Sequence, residues 1–167
     1  MRTTLRVVLL LPFLSIAFPG WSFKDEAHAL GPDYSSAFKR ELRIIMEARP
    51  KYLFGGSTDE RAGLDCSGYL FLAARRAGMP VRRTTARRMA LGEGGWHGRE
   101  IPLSRANDLD LVWWTLHPNN PSGHVGVFWD DRRHAAHASS TRGVVVDRLI
   151  GILKKSITKV RRLTLGE

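Results

Sequence analysis

The sequence is poor in cysteine: 167 residues hold one, Cys66. With no second thiol to pair with, a disulfide-stapled scaffold is excluded. There is no internal repeat and no low-complexity tract, so the chain reads as one domain with enough core to fold alone. Its 43% hydrophobic and 25% charged content excludes the disordered and fibrous classes. Acids are few, 16 against 26 lysines and arginines, which gives a formal charge of +10. No helix-turn-helix, zinc-finger or aromatic-basic motif accompanies that charge, so a nucleic-acid partner is not expected. No apolar run is long enough to span a bilayer. The longest, "VVLLLPFLSIAF", falls short of the roughly 20 residues required and is interrupted by Pro12.

What that run does resemble is a secretory signal. "MRTTLR" is a short basic region, the apolar stretch follows, and small residues offer cleavage after Ser22 or Ala17. The expected organisation is a signal peptide over 1–22, a linker over 23–35 and a single domain over 36–167. Loss of residues 1–22 would remove Arg2 and Arg6 and no acid, taking the charge to about +8. An exported basic protein of this kind has two readings. It either meets anionic wall or envelope polymers or simply carries a solvated basic face. Its arginines come in pairs (75–76, 82–83, 87–88, 132–133, 161–162) rather than in one block.

Along the chain, helices come first and strands follow. "SSAFKRELRIIMEARP" has a serine cap, near-helical apolar spacing and Pro50 as a stop. "CSGYLFLAARRAG" follows Asp65, an N-cap residue, and ends at Gly78; it is apolar almost all round over 69–74, so it should be buried. Residues 79–100 predict a short helix and a glycine-rich loop. "LDLVWWTL", "HVGVFWD", "HAAHASS", "GVVVDRLI" and "KVRRLTL" are five candidate strands. The pattern is α+β, with the helix that carries the thiol packed on an antiparallel sheet of about five strands.

A thiol in the first turn of a buried helix meets the unpaired N–H groups and positive dipole end, which favour the thiolate and can hold an oxyanion. A cysteine nucleophile also needs a base, usually histidine, and a group to orient it. Of six histidines, His28, His97 and His117 sit in linker or loop sequence. His124 opens a strand, where a side chain can project from the sheet edge toward a facing helix; a purely structural role is equally compatible with the pattern. His134 and His137 compete for the third position, because residues three apart on a strand face opposite ways.

The ordered segments "YLFGGSTDERAGLDCSGYLFLAARRAG", "LDLVWW", "GHVGVFWD" and "AHAS" resemble the NlpC-type cell-wall cysteine peptidases over about residues 40–165. The order, with gaps of 58 residues from Cys66 to His124 and 13 from there to His137, is more specific than any one segment. The resemblance implies a papain-like single domain with the unpermuted Cys-His-His order. Cys66 would be the nucleophile, His124 the general base, and His137 rather than His134 the residue that orients it. Tyr52 would lie near the oxyanion or substrate, and Asp65 and Ser67 would contact the substrate. Several tryptophans, among them Trp96 and Trp114, could line a groove, whereas Trp113 and Trp129 read as core.

Two positions depart from the family pattern. Leu109 stands where a glycine usually precedes the aspartate of "DLV", and Arg88 and Met89 fill a region where a glutamine is common. The implied substrate is the peptidoglycan stem peptide, cut at D-glutamate or diaminopimelate bonds, by a periplasmic or extracellular, wall-associated monomer that needs no cofactor and no metal. Three rivals remain: a copper or zinc protein using the cysteine and histidines, a lipid amidase or acyltransferase on the same fold, and a non-catalytic wall-binding module.

Overall fold

The computed structural model describes residues 32–115 and 123–164. The expected signal, the linker up to residue 31, and His28 and His117 lie outside the described residues. The first helix, α1 (Pro32–Glu47), starts earlier than the serine cap suggested. Proline suits the first position of a helix, where its missing N–H would have had no partner, and Asp33 adds a negative charge in the first turn. Phe38, Leu42 and Ile45 recur on one face and are fully buried.

Helix α2 (Cys66–Arg76) packs against α1 and buries every residue from Cys66 to Ala74. The Tyr69 hydroxyl donates to the Leu42 carbonyl, so the one polar atom of that buried ring is satisfied. The short helix α3 (Ala86–Ala90) is capped by Thr85.

Six strands form one antiparallel sheet: β1 (Gly98–Glu100), β2 (Leu111–Trp114), β3 (His124–Trp129), β4 (Asp131–Ser139), β5 (Gly143–Arg148) and β6 (Ile157–Leu163), in the order β1-β6-β2-β3-β4-β5. A short helix α4 (Gly151–Lys155) links the last two. The five expected strands are present, and β1 is the addition. It is three residues long, too short to show alternation, and it exists by pairing with the far end of β6. None of the described helices is long and apolar enough to cross a membrane.

The sheet has two covered faces, so its central strands are buried on both sides. Trp113, Val125, Val127, Ala136 and Ala138 pack with α1 and α2 in the larger core. Trp114, Val112, Phe128, Ala135 and Val160 form a second, smaller core on the opposite face with Ile101, Ala106 and Leu149. Adjacent Trp113 and Trp114 thus face opposite ways, as residues of one strand must.

Leu109 has φ 68°, a left-handed conformation that normally favours glycine. This explains the glycine usual at that position, while the leucine side chain is retained against the helix-side core. One of the arginine pairs, 161–162, is part-buried rather than a solvated face, whereas 75–76, 87–88 and 132–133 are exposed. Arg162 forms a bidentate ion pair with buried Asp110 (3.0 Å from each nitrogen), and Arg161 donates to the carbonyls of Ala90 and Gly98.

Candidate active site

Cys66 is the first residue of α2, and Asp65 caps it in extended backbone (φ −85°, ψ 176°). The Asp65 carboxylate accepts four donors: the backbone N–H of Gly68 (2.6 Å), the Ser67 hydroxyl (2.9 Å), the backbone N–H of Gly55 (3.0 Å) and the Arg83 guanidinium (2.5 Å). Arg83 also donates to Ser67 Oγ (2.8 Å) and to the Thr84 carbonyl. A carboxylate offers about four lone-pair positions, so Asp65 is saturated by the protein itself. Its place in the fold is to tie the loop before α2, the helix start and Arg83 together. Gly68 completes the joint, because a Cβ there would collide with the Gly56 carbonyl.

The Cys66 thiol is 6% exposed and meets the edge of β3. The β3–β4 ladder ends at Gly126–His137, and the backbone amides of Val125, just beyond it, and of Ser67 favour the charged form of the sulfur. Burial pushes the thiol up to about 11, against the pull of these two amides and of Arg83. At rest it is neutral. Among the described residues it makes no hydrogen bond to an imidazole.

The next residue back, His124, lies on the face of the sheet turned away from α2, with Trp114 and His137. The expectation that it would project toward the facing helix is therefore corrected. It is Val125 that packs with the helix in the larger core. The pairing register explains what gathers around His124. Trp114 stands opposite His124, Gly126 opposite His137, and Ala135 opposite Asp147. His124–His137 and His137–Asp147 are thus diagonal neighbours, within reach of ring-sized side chains.

His124 Nε2 lies 2.9 Å from His137 Nδ1, and His137 Nε2 lies 3.0 Å from Asp147 Oδ2. The two imidazoles meet edge to face, with centroids 4.9 Å apart. The Trp114 indole packs on both, at 5.4 and 5.6 Å. Burial, and next the neighbouring His137, pushes His124 down to about 3. Burial also lowers His137, with Asp147 opposing it. Arg142, from the turn between β4 and β5, grips both oxygens of Asp147 and holds that carboxyl below the usual range.

Tyr52 forms an isolated bridge with Leu64 and packs against the helix-side core. Burial, then the charges of Cys66 and Asp65, raise its phenol. His134 is elsewhere, bonded through Nδ1 to Asp131 at 2.9 Å. Trp96 lines no groove: it is 1% exposed and its N–H donates to the Arg82 carbonyl. A cavity of about 340 Å³ lined by Leu103, Ser104, Arg132, Arg133 and Leu149, among others, is separate from the thiol. Among the described residues no group of three or more His, Cys, Asp or Glu is arranged to hold a metal.

Sequence reasoning missed Asp147, Arg83 and the shielding role of Trp114. Asp147 was findable, since pairing "HAAHAS" with "GVVVDR" through the short turn sets it opposite Ala135.

Residues 49–162 match the sequence pattern of the NlpC/P60 family, more than half of the chain. The chain belongs to the NlpC/P60 family. No curated protein sequence matches it. Among solved structures it is similar to an NLP/P60-family lipoprotein-like protein of Staphylococcus aureus, with a TM-score of 0.65 and 18% identity over 83% of this chain. The chain spans only 44% of that protein. It is also similar to the P60 domain of a Mycobacterium avium paratuberculosis antigen (TM-score 0.56, 20% identity, 80% of this chain and 96% of that one). A third is RipD of Mycobacterium tuberculosis, described as a non-catalytic NlpC/p60 domain protein adapted to peptidoglycan binding (TM-score 0.55, 14% identity, 79% and 98%). At these identities the structural likeness establishes the fold, the papain-like α+β arrangement of NlpC/P60 domains, and the family includes members without catalysis.

Proposed function

We propose that the protein is an exported cysteine peptidase that hydrolyses peptidoglycan stem peptides, with Cys66 as nucleophile, His124 as base and His137 as the residue that orients the base. The observation that carries this reading is the 2.9 Å bond from His124 Nε2 to His137 Nδ1. It leaves Nδ1 of His124 without a protein partner among the described residues, one residue before Val125, whose amide favours the Cys66 thiolate. RipD, which is described as binding peptidoglycan without catalysis, marks the rival reading of a wall-binding module.

In the proposed reaction the thiol passes its proton to His124 Nδ1 as Sγ attacks the peptide carbonyl. The helix-start amides, with Tyr52 nearby, face the developing oxyanion. His124 then protonates the leaving amine, and water attacks the thioester with His124 as base, which releases the acid and restores the thiol. Asp65 and Ser67, buried and bonded to each other and to Arg83, serve this reading by fixing the helix start that carries the thiol.

The test is to incubate purified protein and Cys66→Ala with muropeptides and identify the products by mass. Cleavage by the first alone is expected. Equal cleavage by both, or none by either, sinks the peptidase, and muropeptide binding without cleavage would favour the rival. His137→Ala should lose far more turnover than His134→Ala.

A further inference from the structure

A carboxylate, Asp147, stands at the far end of the histidine row, 3.0 Å from His137 Nε2. We propose that Asp147, held by Arg142, is a positioning residue that sets the tautomers of His137 and, through it, His124, so that Nδ1 of the base is left as a bare lone pair; this rests on the peptidase reading above.

An ionised carboxylate only accepts hydrogen bonds, so the His137 nitrogen 3.0 Å away, Nε2, must be the one bearing hydrogen. In a neutral ring the other nitrogen, Nδ1, is then an acceptor. The 2.9 Å contact from Nδ1 to His124 Nε2 can exist only if His124 Nε2 is the donor. That fixes His124 Nδ1 as the bare lone pair, the form a general base requires. With Asp147 removed, the reversed assignment becomes equally available. His137 Nδ1–H would donate to His124 Nε2, and His124 Nδ1 would carry the proton and could accept none.

Three features keep the row in one state. Arg142 binds both Asp147 oxygens and keeps them charged. Trp114 covers both rings and keeps water from competing for their nitrogens. The small Ala135 opposite Asp147 leaves room for the carboxylate to lean diagonally to His137. The second nitrogen of a working histidine is commonly anchored in this way, and at metal-bound histidines loss of such an anchor typically costs about 10–100-fold.

The experiment uses Asp147→Asn, which is nearly isosteric but whose amide can donate to Nε2, and Asp147→Glu, which restores a carboxylate. Nitrogen NMR of histidine-labelled protein reads the tautomers without any need for activity. Wild type should show both rings protonated at Nε2, Asp147→Asn should show a mixed or reversed population, and Asp147→Glu should recover much of the wild-type pattern. Stem-peptide turnover should fall about 10–100-fold in Asp147→Asn with KM within about twofold. In a His137→Ala background the same substitution should change kcat little. Unchanged tautomers in folded Asp147→Asn overturn the proposal, and so does an equal loss with and without His137. A wild type that cleaves nothing, yet whose tautomers shift in Asp147→Asn, upholds the positioning and refutes the peptidase.

Discussion

The Trp114 indole lies over Gly126, so close that a Cβ on that glycine would come within 2.9 Å of the ring and 2.8 Å of the Ala136 carbonyl. The glycine is what lets one aromatic side chain of β2 reach across β3 and pack on the two imidazoles. Gly126→Ala must therefore push the indole off the histidine pair. We expect a loss of about 1–3 kcal/mol in urea unfolding, the usual cost of overpacking a filled core. In the folded fraction turnover should fall at least about tenfold. Wild-type stability and turnover together would show that the indole does not depend on this contact.

Acid should weaken the fold through His124. Burial lowers its folded pKa to about 3, from an unfolded value near 6.5. Between those values the unfolded chain binds the proton and the folded one does not, so stability falls as pH drops below 6.5 and this contribution ends near 3. One such group gives a slope of at most about 1.4 kcal/mol per pH unit. Urea midpoints at pH 7 and pH 5 should separate more in wild type than in His124→Gln. An equal separation would refute the buried, neutral ring.

The thiol should behave as an unreactive one until its base is engaged. With burial holding Cys66 up to about 11, iodoacetamide labelling of His124→Ala should accelerate about tenfold per pH unit from 7 to 10. A plateau below pH 8 in that variant would mean that the helix start alone, without the imidazole, generates the thiolate.

Helices α1 to α3 and the five longer strands were legible in the sequence from periods, caps or β-rich composition, whereas the five-residue α4 was not expected. Nor was strand β1, since Gly98–Glu100 has no pattern of its own and is defined by Leu163 and Arg162 across the ladder. The candidate nucleophile and the two candidate histidines were chosen from their order. The direction His124 faces could not be read from the sequence, because alternation gives two faces and only packing says which one the helix covers. Arg83 was hidden among surface-like arginine pairs, although it is bound to Asp65 and Ser67. Asp147 escaped because the search for partners stopped at histidine, and an aspartate on an otherwise unremarkable edge strand gives no signal until the register of β4 and β5 is written out.

Trp114, His124, His137 and Asp147 come from four successive strands, while the thiol comes from a helix made 58 residues before the first of the histidines. No local stretch of chain holds even two of these imidazole and carboxylate partners side by side. Until the last strand of the row has zipped onto its neighbour, the polypeptide carries an ordinary cysteine and scattered histidines. The row of side chains, and the chemistry proposed for it, therefore exist only once the sheet has folded.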